Sequence, residues 1–127
     1  MHSRLLGTDA TRSRAKVGVT ILGTNLRVQS SRIKFELLQN EAVSAEMQER
    51  TVLCALYADS EMVSNEVRIK LDSTSASLDD RKKVVELVLN GETAGILTLK
   101  VFADGDSLNA LDEKTVTNET LIPMDNW

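Results

Sequence analysis

Residues 50–89, RTVLCALYADSEMVSNEVRIKLDSTSASLDDRKKVVELVL, hold the pattern that decides the fold. Within Val63–Leu71, Val63, Val67, Ile69 and Leu71 share one parity, while Ser64, Glu66, Arg68 and Lys70 share the other. A period of two is what a strand shows when one side meets a core and the other meets water. Apolar runs flank it, Val52–Tyr57 before and Val84–Leu89 after. The linkers between them, Ala58-Asp59-Ser60-Glu61 and Asp72 through Asp80, are rich in Asp and Ser, whose short polar side chains bond nearby backbone in turns. The reading is three strands in succession and a β protein with one wet face.

The same alternation runs outward from this stretch. Val17, Val19 and Ile21 alternate with Gly18 and Thr20, Gly23-Thr24-Asn25 supplies a turn, and Leu26 and Val28 resume the apolar face. Ile33, Phe35 and Leu37 alternate with Lys34 and Glu36. Gln39 to Glu49 breaks the pattern. Val43 and Met47 stand four apart there among good helix formers, so one or two helical turns or a polar loop both fit. Asn90-Gly91 suits a tight turn, and Leu97, Leu99 and Val101 form another inward row. Ala103 to Glu113 reads as an acidic, turn-rich connection. Val116 opens a last strand that reaches about Ile122, where Pro123 ends its hydrogen bonding, and Trp127 is expected to fold back onto apolar surface. No helix of the length a parallel βαβ crossover needs is present. The expected fold is all-β, an immunoglobulin-like antiparallel sandwich of about seven to nine strands over residues 17–127. Residues 1–16, with Arg4, Arg12, Arg14 and Lys16, read as a linker or arm.

Composition bounds the function. At 127 residues the chain is one domain by size, and a net charge of -4 argues against a nucleic-acid surface. Cys54 is the only cysteine, so no disulfide closes within the chain, and its apolar neighbours predict a buried thiol. No apolar run approaches the roughly 18 residues of a membrane span, and MHSRLLGTDATRSRAK lacks the apolar centre of a secretory signal. The expected location is therefore the cytoplasm. On the same ground the sequon Asn118-Glu119-Thr120 reads as chance.

Residue types for catalysis are scarce. The only histidine is His2, in the expected arm, so neither a Ser-His-Asp set nor a Cys-His pair can be assembled. One His and one Cys do not make a zinc site, and no glycine-rich phosphate cradle occurs. Asp104-Gly105-Asp106-Ser107-Leu108-Asn109 followed by Asp112-Glu113 superficially matches a calcium loop. Leu108 stands at the fifth-position ligand, however, and Asn109 at the sixth-position glycine, so a solvated turn is expected. Asp79-Asp80 beside Arg81-Lys82-Lys83 reads as a loop end that begins a strand. No residue is assigned as catalytic, cofactor-binding or metal-binding.

Ordered motifs carry a family resemblance. Leu56-Tyr57-Ala58-Asp59, Val63-Ser64-Asn65, the strand Val67 to Leu71, the serine-bearing loop Ser73 to Ser77, and Arg81 with Val85, Leu87 and Leu89 follow one another. Ile33-Lys34-Phe35-Glu36-Leu37-Leu38 precedes them; Leu97 to Asp104 and the ending Met124-Asp125-Asn126-Trp127 follow. The set resembles the C-terminal region of PglZ proteins of the BREX bacteriophage-exclusion systems, over about residues 17–127. Ala58, Ser60-Glu61 and Trp127 depart from the family pattern. The resemblance implies an accessory domain of a larger antiviral-defence protein. The metal-dependent phosphoesterase core of that protein, similar to the alkaline phosphatase superfamily, would lie upstream. None of that core's Asp and His ligands maps onto this chain. The implied partners are the upstream catalytic domain and other BREX subunits, with no membrane and no nucleic acid bound directly.

The leading expectation is therefore a non-catalytic interaction or scaffolding module. A free-standing β-sandwich binding module is the alternative. Two further readings name residues: metal-assisted phosphoester hydrolysis by Asp79, Asp80, Asp104 and Asp106, and ligand binding by a basic patch of Arg27, Arg32, Lys34, Arg68 and Lys70 if their strands adjoin.

Overall fold

Strands that alternate apolar and polar residues hide their apolar side by packing sheet against sheet, and this chain does so. The structure is a computed structural model and describes residues 15–91 and 95–118. His2 with most of the expected arm, and Glu119 to Trp127 with the end of the last strand, lie outside the described residues. The protein is all-β. Among the described residues there are eleven strands rather than the seven to nine expected, three of them only two residues long. They are β1 (Ala15–Lys16), β2 (Val19–Leu22), β3 (Leu26–Val28), β4 (Arg32–Gln39), β5 (Met47–Gln48), β6 (Arg50–Ala58), β7 (Glu61–Met62), β8 (Val67–Leu71), β9 (Lys82–Val88), β10 (Gly95–Ala103) and β11 (Asp106–Asn118). One 3-10 turn, Asp79–Arg81, precedes β9. No helix among the described residues is long and apolar enough to cross a membrane.

One sheet runs β2-β4-β9, and the larger runs β3-β11-β10-β6 with β7 and β8 on the far side of β6. Both line a single core, Ile21, Phe35, Leu37 and Leu87 from the first meeting Val52, Leu56, Leu99 and Val116 from the second. The N-terminal strand pair changes sheet between its halves. β2 is antiparallel to β4, then Gly23 at φ 108° and Asn25 at φ 56° turn the chain so that β3 runs parallel to β11. Glycine reaches that backbone region without a Cβ penalty. Besides this pair, β1 and β5 are also parallel, an exception to the antiparallel expectation.

The stretch Val63–Leu71 is strand only from Val67, and a separate short strand, Glu61–Met62, ends just before it. Met62 pairs with Tyr57, and Val67 with Cys54, so five residue steps on this side span three on β6. The two extra residues are an even number, which keeps the parity and makes the stretch read as one strand. Between the segments, Ser64 bridges Leu89, just past the end of β9, and is buried, against its expected outward face. The Val63 carbonyl accepts the Asn90 N–H at 2.7 Å, and the Ser64 hydroxyl accepts the Leu56 N–H at 2.8 Å in its place.

One choice left open is decided, and one more expectation changes. Gln39–Glu49 holds no helical turn: Gln39 ends β4, and Val43 donates its N–H to the Ser73 carbonyl at 2.8 Å, so a neighbouring loop supplies the partner. Ala103–Glu113 is mostly strand. Asp104-Gly105 makes the turn, and β11 starts at Asp106, ten residues before the expected Val116. Its register breaks around Phe102, where a bulge lets Ser107, Leu108 and Asn109 stand out of the ladder.

Cys54 is fully buried on β6, and burial pushes its thiol from 9.0 up to about 12. The folded protein thus keeps a proton that the unfolded chain releases from about pH 9, so this contribution to stability is complete below pH 9 and is lost as pH rises toward about 12. Denaturant titrations should show stability falling across that window, and Cys54→Val should flatten the fall. An unchanged slope in Cys54→Val would place the alkaline loss elsewhere.

Candidate interaction surface

The chain has four aromatic residues, Phe35, Tyr57, Phe102 and Trp127. Phe35 packs in the core, but Tyr57 and Phe102 meet on the opposite, outer face of the larger sheet. Strand parity puts them there. Leu97, Leu99 and Val101 of β10 point into the core, so Ile96, Thr98, Lys100 and Phe102 point away. Across the ladder Thr98 stands beside Tyr57, Lys100 beside Ala55 and Phe102 beside Leu53.

Ala55 is the small residue between the two rings. Its short side chain leaves room for them to close over it, and it is only 2% exposed although it faces away from the core. The Tyr57 and Phe102 centroids lie 5.9 Å apart at an interplanar angle of 76°, an edge-to-face contact. The Lys100 ammonium lies 5.1 Å from the centre of the Tyr57 ring, within range of a cation–π attraction. Burial, and then the nearby Glu66 carboxylate, raise the Tyr57 phenol above its ordinary value, so it stays a neutral donor at physiological pH. Arg68, beside Leu53 on β8, pairs with Asp104 of the β10–β11 turn at 2.6 Å.

The cluster has an exposed apolar margin. Met62 sits beside Tyr57 in the ladder and is 39% exposed; Ile96 is 66% exposed farther along β10. Aromatic residues and methionine are enriched where proteins meet. Chemically the surface offers a neutral phenol, a cation and an apolar floor, which suits protein recognition. Its sequence signal was the run Val52–Tyr57, apolar at both parities, as in a strand covered on both faces.

The residues singled out by the alternative readings are not brought together. Arg27 lies on β3, at one edge of the larger sheet, and Arg68 and Lys70 lie on β8, on the far side of β6. Arg32 and Lys34 belong to β4, in the other sheet. Arg32, Arg68 and Lys70 also hold the carboxylates of Glu86, Asp104 and Glu49 at 3.1, 2.6 and 3.3 Å. The acidic residues have local partners as well. Asp79 pairs with Lys82 at 3.4 Å, Asp80 accepts the Ser75 hydroxyl at 2.8 Å, and Asp106 accepts the Leu108 N–H at 3.2 Å. No group of three or more His, Cys, Asp or Glu among the described residues is placed to hold a metal. Asn118 of the sequon is 1% exposed in the folded chain.

No known protein-family model matches this chain, and no curated protein matches it.

Proposed function

We propose that the chain is a non-catalytic, immunoglobulin-like accessory domain of a PglZ-like protein in BREX anti-phage defence, and that it acts by docking the outer face of its larger sheet on another protein. The observation that carries the docking is the exposed Met62 and Ile96 margin around the Tyr57–Phe102 contact on the outer face, where Phe102 itself is 8% exposed. The family assignment rests on the ordered motifs between Ile33 and Asp104. The strand order supports the immunoglobulin-like reading. β2, β4 and β9 take the places of strands A, B and E, and β6, β10 and β11 those of C, F and G. In this reading the phosphoesterase core lies outside the chain, and the docked surface belongs to that core or to another BREX subunit.

The test is a pull-down from cells expressing the full-length parent protein. Met62→Lys with Ile96→Lys, both at exposed positions, should leave the fold intact and weaken capture of a partner about tenfold or more. Full retention of every BREX partner and of defence activity by a parent lacking residues 17–127 would sink the proposal. The coding sequence upstream of Met1 separates the family part from the docking part. A phosphatase-superfamily ligand pattern in frame supports the parent enzyme, whereas a stop codon there favours a free-standing binding module.

A further inference from the structure

The edge of the smaller sheet points to a second copy of this chain. β9 closes the β2-β4-β9 sheet on one side. The Leu89 N–H donates to the Ser31 carbonyl at 2.8 Å, so by the period of two Leu87, Val85 and Lys83 direct their backbone groups at β4. Lys82, Val84, Glu86 and Val88 direct theirs away. Val88 is already occupied, its N–H donating to Asn65 Oδ1 at 2.8 Å and its carbonyl accepting the Asn65 N–H at 3.2 Å. The Lys82 N–H closes on the Asp79 carbonyl of the 3-10 turn. The Lys82 carbonyl and both backbone groups of Val84 and Glu86 remain, with no partner among the described residues.

Two other edges are stoppered. On β2 the Asp112 carboxylate accepts the Ile21 N–H at 2.7 Å, and on β8 the Lys83 ammonium donates to the Lys70 carbonyl at 2.9 Å. An unstoppered edge is a template for another strand. The side chains on β9 say which strand fits. Lys82, Val84 and Glu86 share the outer face, and Val84 is 65% exposed.

We infer that two copies pair β9 to β9 antiparallel about a two-fold axis through Val84. Val84 then meets Val84 of the second copy, and the two exchange a pair of backbone hydrogen bonds. Lys82 faces Glu86 of the second copy, and the symmetry repeats that opposite-charge pair. The Glu86 N–H donates to the Lys82 carbonyl on each side, which completes four backbone bonds. Neighbouring registers fail: an axis at Glu86 or Lys82 sets like charges together, and an axis at Val85 runs Lys82 into the position Asn65 already fills. Lys82 and Glu86 hold exposed partners within one copy, Asp79 at 3.4 Å and Arg32 at 3.1 Å, and such surface pairs yield or share at small cost. A contact of this length is smaller than a permanent interface, so the dimer dissociates on dilution. The inference does not depend on the family assignment.

Sedimentation velocity of the chain across a concentration series tests it. The expected result is a reversible monomer–dimer equilibrium. Lys82→Glu alone and Glu86→Lys alone should each weaken it about tenfold, and the two together should restore it. Restoration separates the pairing from a general effect on folding, which circular dichroism checks for each variant. A monomer at every concentration, a dimer indifferent to Lys82→Glu, or a double variant as weak as the single ones would overturn the inference.

Discussion

Leu99→Ala should remove about 3–4 kcal/mol of folding stability, the middle of the range for a buried leucine cut to alanine. Leu99 is fully buried in β10, flanked by Leu56 of β6 and Lys114 of β11, and it faces the smaller sheet across the core. Its surroundings are held by ladders on both sides, so they close poorly over a cavity. A domain of this size holds about 5–15 kcal/mol in all, so the variant should survive as a folded but fragile protein. Thermal melting should drop by about 10 °C or more. Leu108→Ala is the matched control at 89% exposure, and its change should stay within about 0.5 kcal/mol. A loss below about 1 kcal/mol for Leu99→Ala would mean that the two sheets do not close over this position as described.

Gln39→Leu should be the second most damaging change, for a different reason. Gln39 is a buried polar residue at the end of β4, and its amide is used on both sides. Nε2 donates to the Ser73 carbonyl at 2.7 Å and to the Glu41 carbonyl at 2.8 Å, while Oε1 accepts the Ser73 N–H at 2.9 Å. Arg81 works beside it, donating to the carbonyls of Gln39, Asn40, Ser75 and Ala76 at 2.6–3.2 Å. These two side chains hold the 72–80 connection against the end of the core. Leucine keeps the volume but strands the Ser73 N–H and the Glu41 carbonyl and leaves the Ser73 carbonyl with the Val43 N–H alone, at about 1–3 kcal/mol for each group left truly buried. The groups are partly exposed and water reaches some of them, so the expected loss is about 2–3 kcal/mol. Gln39→Glu should be no better. It keeps the acceptor for Ser73 but aims an anion at two carbonyls, and its penalty should ease as pH falls and the carboxyl protonates. Equal stability of Gln39→Glu and wild type at neutral pH would show that the amide donor bonds contribute nothing.

Much of the fold could be read directly because burial on a strand obeys parity. Val19 with Ile21, Ile33 with Phe35 and Leu37, and Leu97 with Leu99 and Val101 each show an apolar face that has only one place to go. The turns at Gly23-Thr24-Asn25 and Asn90-Gly91 were equally readable, since those residue types accept positive φ. Asp106–Glu113 was not readable. Its carboxylates and Asn109 imitate a loop, and only the ladder to β10 makes them a strand. Ser64 misled in the opposite way. Its polar side chain implied an outward face, but a buried hydroxyl replaces a carbonyl that a distant Asn90 had taken.

The sequence by itself determined that this is a β protein, which residues line its core, and that chemistry-bearing side chains are few. Tertiary structure alone decided which residues share a surface. Tyr57 and Phe102 lie 45 positions apart and become neighbours because β6 pairs with β10. The five cations of the imagined patch scatter because β3, β4 and β8 take different sheets and edges. Parity is a property of one strand and is written into its own residues. Adjacency is a property of strand pairing across long loops, where many pairings satisfy the same alternation and only the packed whole selects one.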